Sequence, residues 1–165
     1  MTTHEWGGMR GFLAAVAVMA MAAGCGGQDR AGSAPPAAGA PASDLTPFQL
    51  EHGIGPLTEV LTLGPLDQGL ADSGQKVFGA KCTACHKMAE KYVGPALGEV
   101  LVRRSPTFTM NMILNPNEMV ERHPVAKEML AEAMTMMANQ GLTTGDARAV
   151  VEYLRTQATG TVKTQ

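Results

Sequence analysis

The chain has 165 residues, enough for one domain with additional segments, and it carries a net charge of −2 with a sequence pI near 6.1. This weakly acidic balance argues against nucleic acid as a partner, because binding to a phosphate backbone needs a basic surface. Aromatic residues make up only 4% of the chain, so a large buried cofactor would supply apolar surface that the core otherwise lacks.

The first 24 residues have the pattern of a bacterial signal peptide. Arg10 is followed by the uncharged apolar run "GFLAAVAVMAMAA", which is short for a transmembrane helix and typical of a signal-peptide core. The run ends in "AAGC", which resembles the lipobox of bacterial lipoproteins, although Ala22 stands where leucine is usual. The resemblance implies that Cys25 is lipid-modified. Cleavage by the ordinary signal peptidase and an uncleaved anchor are the alternatives.

Residues 25–45 have the composition of a flexible linker. The stretch "GGQDRAGSAPPAAGAPASD" is rich in Gly, Ala, Pro and Ser and shows no apolar period, so it cannot bury enough surface to fold. We predict a lipid-anchored linker, an N-terminal extension over residues 46–70 and a globular domain over residues 71–160. The expected location is the periplasm, at the outer face of the cytoplasmic membrane.

The motif Cys82-Thr-Ala-Cys85-His86 carries the chemistry of this domain. Two cysteines on one helical turn can form thioethers with the two vinyl groups of one haem, and the adjacent histidine can then coordinate the iron. A thioredoxin-like motif would need a βαβ setting, and a zinc site would need more cysteines than this chain has after Cys85. We therefore predict one covalently attached haem c. With Cys25 lipidated, no cysteine remains for a disulfide.

The patterns after the motif predict helices and no strands. Ser105 as N-cap and Pro106 at the first helical position begin a short helix that stops before Pro116. Pro124 begins another helix in the same way.

The last predicted helix is amphipathic. Thr143 is its N-cap and is followed three residues later by Asp146, the spacing of a capping box. Its apolar residues follow the helical period at Ala147, Val150, Val151, Leu154 and Ala158.

From about residue 70 to residue 158 the chain resembles a class I, monohaem cytochrome c. "DSGQKVFGAKCTACH" matches the family's first helix, which has a small residue and an aromatic ahead of the haem motif, here Gly74 and Phe78. The resemblance implies an all-α fold of three to five helices around the haem. It also implies that the terminal helices cross, with Gly74 and Phe78 against Tyr153 and Leu154.

The stretch "YVGPAL" matches the Gly-Pro-x-Leu of the same family. The resemblance implies that the Pro95 carbonyl accepts a hydrogen bond from the His86 Nδ1–H, which fixes the tautomer and orientation of the ring. An ordinary turn at this Gly-Pro pair is compatible with that role.

Histidines other than His86 are weak candidates for the sixth iron ligand. His4 lies in the signal segment, and His123, between an arginine and a proline, is expected in an exposed turn. His52 precedes the domain and is expected to be packed or solvated. Methionine is the favoured ligand, and His/Met ligation raises the reduction potential.

Met137 is the expected ligand, with Met136 second and Met134 third. The family's ligand methionine usually lies about five residues before the leucine that opens the last helix, here Leu142, which selects Met137. The apolar period of the preceding helix favours Met136 instead. Two other methionines, Met119 and Met129, are expected in the core.

Two groups of cations lie near the haem motif. The first group consists of lysines. In the family, a ring of lysines around the haem edge steers docking onto acidic partners, and the alternative is that these lysines only form a solvated helix face. Arg103 and Arg104 are expected to bind the haem propionates, with plain surface charge as the alternative. The lysines are Lys76, Lys81, Lys87 and Lys91.

The resemblance implies a one-electron carrier rather than an enzyme, acting in a membrane-associated respiratory chain. A quinol–cytochrome c oxidoreductase is the expected donor, and a terminal oxidase or nitrous oxide reductase is the expected acceptor. A haem-based gas-binding protein is an alternative, although cytochromes c′ carry the motif near the end of the chain and 79 residues follow His86 here. The haem subunit of a larger oxidoreductase is another.

Overall fold

The computed structural model describes residues 44–165. The predicted signal peptide, Cys25 and nearly all of the predicted linker lie outside the described residues. The described part contains seven helices and no strand: α1 (Pro47–His52), α2 (Gln68–Lys81), α3 (Val100–Arg103), α4 (Pro106–Leu114), α5 (Pro116–Arg122), α6 (Pro124–Ala133) and α7 (Thr144–Gln157). No helix within residues 44–165 is long and apolar enough to cross a membrane.

The all-α prediction is confirmed, and so are the predicted starts of three helices. Ser105 caps α4 by accepting a hydrogen bond from the backbone N–H of Phe108, and Pro124 opens α6. Thr143 and Asp146 form the predicted capping box of α7. The structure has more helices than the expected three to five, because α1 lies before the part of the chain that carries the resemblance and because α3 and α5 are additional short helices of four and seven residues.

Helices α2 and α7 cross at Gly74. A Cβ atom at this position would lie 1.9 Å from the carbonyl oxygen of Ala149, so only glycine permits the observed approach of the two backbones. One turn later, the rings of Phe78 and Tyr153 lie 5.4 Å apart between centroids. The predicted crossing is confirmed, with Ala149 rather than Tyr153 or Leu154 facing the glycine.

A buried carboxylate joins the start of α2 to α7. Glu152 is fully buried, and its carboxylate accepts a hydrogen bond of 2.8 Å from the backbone N–H of Asp67, the N-cap of α2. It also pairs with Arg148 and, at 2.6 Å, with Arg155 on its own helix. Burial raises the pKa of Glu152, but the Asp67 N–H and the two guanidinium groups outweigh burial, and the pKa is lowered overall.

The extension before α2 packs against α4 through buried polar side chains. The Asn111 amide donates to the carbonyl oxygens of His52 and Leu57, at 3.0 and 3.1 Å, and accepts the Leu57 N–H at 3.0 Å. The Ile54 N–H donates to the Met119 sulfur at 3.0 Å, and Met119 is fully buried, which confirms the core position predicted for it. Residues 44–165 therefore belong to one compact unit.

The expectation that His123 lies in an exposed turn is wrong. The residue is fully buried, its ring meets Phe108 edge-on with centroids 5.3 Å apart, and its Nε2 donates to the Leu50 carbonyl at 3.2 Å. It occupies the corner between α5 and α6, and that corner faces α1 and α4 rather than solvent. His52 is also buried, with its Nδ1 3.0 Å from the Ser105 hydroxyl, which selects the packed alternative.

Candidate functional site

The Cys82–His86 motif forms a tight turn at the end of α2. The Cys82 N–H donates to the Phe78 carbonyl, and the N–H groups of Cys85 and His86 both donate to the Cys82 carbonyl, at 3.1 and 2.9 Å. Cys82 is half-buried and Cys85 is exposed. Burial and the neighbouring Cys85 raise the pKa of the Cys82 thiol before haem attachment.

The His86 ring is held in one tautomer by the loop that follows it. Its Nδ1 lies 2.9 Å from the Pro95 carbonyl oxygen, and because a carbonyl can only accept, Nδ1 carries the proton and Nε2 keeps its lone pair. Gly94 packs directly on the ring: a Cβ there would lie 2.4 Å from the His86 Cε1. The imidazole is therefore oriented for coordination through Nε2.

A large, mainly apolar cavity opens beside the motif. It holds about 1210 Å³ of space outside the protein atoms, part of it open to solvent. Cys82, Cys85 and His86 lie in its wall, and the rest comes from all helices of the domain except α1, from the loop over residues 93–97 and from the segment after α6. Among the lining residues, the sequence gave no functional role to Leu97, Val100, Thr109, Met112, Ile113 and Leu130.

The cavity wall includes two of the three candidate methionines. Met136 and Met137 line it, whereas Met134 is 86% exposed and does not. Met134 has a left-handed backbone conformation (φ 55°) and ends α6, so Met136 lies beyond the helix and the helical-period argument for it is wrong. Met136 is 55% exposed and Met137 is half-buried. Met129, which was expected in the core, is half-buried and also lines the cavity.

Arg103 and Arg104, the two predicted propionate ligands, lie in different surroundings. Arg104 lines the cavity and stacks on the Phe108 ring, with the guanidinium carbon 5.4 Å from the ring centroid. Arg103 does not line this cavity, and its guanidinium donates to the Ala96 carbonyl at 2.9 Å. The structure therefore brings only one of the two arginines to the cavity.

The four lysines near the motif are all exposed, and Lys81 also lines the cavity. Lys87 lies over the Tyr92 ring, 5.1 Å from its centroid. Lys91 donates to the Glu132 carbonyl at 2.6 Å, which ties the segment after the motif to the end of α6. Within the described residues, no three His, Cys, Asp or Glu side chains cluster as a conventional metal site would require.

The family profile described as Cytochrome c matches residues 71–158, more than half of the chain. The chain belongs to the cytochrome c family. The predicted resemblance to a class I monohaem cytochrome c is confirmed, and with it one covalently bound haem c. Proteins of this family are generally electron-transfer carriers.

Solved structures show the same relationship. The chain is 45% identical to the cytochrome c from Rhodothermus marinus, covering 68% of this chain and 97% of that one, with a TM-score of 0.63. An engineered cytochrome c from the same organism is 44% identical over the same shares, also with a TM-score of 0.63. A curated cytochrome c-553-like protein of Synechocystis sp. is 35% identical over 60 residues, which are 36% of this chain. The chain matches 53% of the length of that relative.

The residues around the cavity fit a haem c. Two thiols lie one turn apart, a histidine presents an unprotonated Nε2, and the remaining wall is apolar with an arginine at one side. This donor set matches the requirements for two thioether bonds, one axial ligand and a partner for a carboxylate.

Proposed function

We propose that the protein is a membrane-anchored one-electron carrier. Cys82 and Cys85 would hold the haem through thioether bonds, and His86 and Met137 would ligate its iron. The observation that carries the proposal is that His86 and Met137 line one apolar cavity, with the His86 Nδ1–H held by the Pro95 carbonyl.

When bound, the haem supplies a one-electron couple. The residues of the chain would orient its ligands, and the apolar wall of the cavity would exclude water where it contacts the haem. The Pro95 carbonyl and the Gly94 backbone fix the His86 ring from two sides, so the ring does not need to reorganise when the charge changes. The apolar lining and a methionine ligand would both raise the reduction potential of the haem above that of a more solvated site with two histidine ligands.

Met137 is preferred to Met136 for two reasons. It lies five residues before Leu142, and it is half-buried in the cavity wall, whereas more than half of the Met136 surface is exposed. For the propionates we propose Arg104, because it lines the cavity and Arg103 does not.

A redox titration followed by absorption spectroscopy tests the role of the protein. We expect a single reversible one-electron step, the spectrum of a six-coordinate His/Met haem, and slow or no binding of carbon monoxide to the ferrous protein. Rapid carbon monoxide binding would contradict the carrier function and favour the haem-based gas-binding alternative.

The proposal also includes a lipid anchor and the redox partners. A lipid on Cys25 would hold the domain at the outer face of the cytoplasmic membrane, between a quinol–cytochrome c oxidoreductase and a terminal oxidase or nitrous oxide reductase. The lipobox-like sequence supports the anchor, and the exposed Lys76, Lys81 and Lys87 support docking onto acidic partners. Replacing Cys25 with alanine should move the cytochrome from the membrane fraction to the soluble periplasm. Retention in the membrane would contradict lipid anchoring.

A further inference from the structure

The segment that carries the candidate methionine ligands, residues 134–142, is held by few hydrogen bonds. Within residues 44–165, no backbone–backbone hydrogen bond involves residues 135–142. The Asn139 side chain donates to the Leu114 carbonyl at 3.3 Å and accepts the N–H of Gly141 at 2.8 Å. The path of the methionines themselves therefore depends on how α6 ends.

Helix α6 ends in a conformation that needs outside support. Its C-cap, Met134, is left-handed with φ 55°, and among residues 44–165 it is the only residue other than glycine with a positive φ. This conformation costs free energy for a residue with a Cβ, and it persists only where neighbouring contacts hold it. The last turn of α6 also contains no basic residue that could interact with the terminal carbonyls.

Lys91 supplies the missing cation from another part of the chain. Its Nζ donates to the Glu132 carbonyl at 2.6 Å, in the last turn of α6, where carbonyls lack helical partners and the helix dipole favours a positive charge. Lys91 belongs to the segment that follows His86, and the Pro95 carbonyl of that segment orients the His86 ring. The lysine thus connects the segment that orients the histidine to the helix end that leads to Met137.

We propose that Lys91 positions the methionine ligand of the haem by holding the end of α6. With the Glu132 carbonyl bound to Lys91, the left-handed turn at Met134 directs the following residues along the cavity, and Met137 lies in its wall. Without this hydrogen bond the turn opens more readily, and the methionine leaves the iron more often. This proposal rests on the methionine ligation proposed above, and it assigns a role to a residue that does not line the cavity.

Imidazole binding to the ferric holoprotein at pH 8 tests the proposal. Imidazole can bind the iron only after the methionine has left it, so its apparent affinity rises with the fraction of protein in which the methionine segment is open. We expect Lys91→Ala to raise the apparent association constant about fivefold, the effect of losing one charge-assisted hydrogen bond at a helix end. Lys91→Arg keeps the charge and a donor and should stay within about twofold of the native protein.

A second readout does not depend on an added ligand. Hydrogen exchange of the holoprotein, followed by mass spectrometry, should be faster for residues 134–142 in Lys91→Ala than in the native protein. Lys127→Ala is the matched control, because it removes the same charge from an exposed position near the start of α6. It should leave both the imidazole affinity and the exchange of this segment unchanged.

The outcomes separate the role of Lys91 from the ligation itself. Native imidazole affinity and native exchange in Lys91→Ala would overturn the role of Lys91 and leave the methionine ligation intact. An effect of Lys91→Arg or Lys127→Ala as large as that of Lys91→Ala would overturn it as well. Absence of the methionine–iron charge-transfer band from the native ferric protein would instead refute the ligation, and this proposal with it.

Discussion

The domain has two hydrophobic clusters, and different interactions stabilise them. The first packs α2 against α7 beside the haem cavity, with Phe78, Leu101, Val150 and Leu154 among its buried residues. It depends on a close backbone approach at Gly74. The second lies around α1, α4, α5 and α6 and contains Ile54, Phe108, Met119 and Ala126.

The second cluster is surrounded by buried polar groups rather than by a close helix crossing. Asn111, His52, Ser105 and His123 are buried beside it, and they connect the extension and the helix corners through hydrogen bonds. The α2–α7 cluster thus depends mainly on the shape of a close helix crossing, and the second cluster on hydrogen bonds to the extension, although residues of both line the haem cavity. Each of the following substitutions tests one cluster.

Asn111→Ala should have the largest effect on stability. Three backbone groups of the extension would lose their partners, and we expect the free energy of unfolding to fall by about 4 kcal/mol. Guanidinium chloride unfolding of the holoprotein, followed by circular dichroism, measures this. Asn117→Ala is the matched control on an exposed position and should change stability by less than about 0.5 kcal/mol. A loss below about 1 kcal/mol for Asn111→Ala would show that apolar contacts alone hold the extension.

Gly74→Ala should lower the free energy of unfolding by about 3 kcal/mol, because the new Cβ would overlap the Ala149 carbonyl and force the helices apart. Gly79→Ala, on the same helix, is its control: no atom lies within 4 Å of the new Cβ, so the variant should be stabilised by about 0.5–1 kcal/mol. The same unfolding assay applies. Equal stability of the two alanine variants would contradict the role assigned to the crossing.

Glu152→Gln should lower the free energy of unfolding by about 2 kcal/mol, since two arginines lose their carboxylate while the Asp67 N–H keeps an acceptor. The lowered pKa of Glu152 means that its stabilisation is present above the unfolded value near 4.5 and is lost as the pH falls through the folded value. Unfolding curves from pH 6 to pH 3 should therefore converge for the two proteins. Glu118→Gln, in the more exposed pair with Arg122, is the control and should match the native protein. Curves that stay parallel down to pH 3 would contradict this role of Glu152.

The smallest expected effect is the pH dependence from His123. Its folded pKa is lowered, so the unfolded chain binds a proton first, and stability should fall as the pH drops below about 6.5. His123→Gln keeps a donor for the Leu50 carbonyl but cannot titrate, so its unfolding free energy should change less between pH 7 and pH 5.5. An identical pH slope in both proteins would exclude His123 as the source.

The haem-attachment segment and the start of α7 could be predicted from sequence because their constraints are local. Cys82, Cys85 and His86 are adjacent, the Gly94–Pro95 turn follows closely, and the Thr143 capping box marks the start of α7. The contacts of the second cluster could not be predicted, because they join residues more than 50 positions apart that no motif marks. The equally distant crossing of α2 and α7 could be predicted only from the family resemblance. Nothing in the neighbourhood of His123 or Asn111 indicates that each is buried against α1 or the segment after it.

The methionine ligand could be predicted only in part. The spacing to Leu142 selects Met137, and the structure removes Met134 from the cavity while leaving both Met136 and Met137 in its wall. The helical period of α6 wrongly favoured Met136, because it could not show that the helix ends at Met134, whose backbone is left-handed.

The most direct test of the account compares Met136→Leu with Met137→Leu by absorption spectroscopy of the ferric protein. We predict that Met137→Leu loses the methionine–iron charge-transfer band and lowers the reduction potential, whereas Met136→Leu keeps both. Loss of the band only in Met136→Leu would contradict the assignment, and retention in both variants would contradict ligation by either residue.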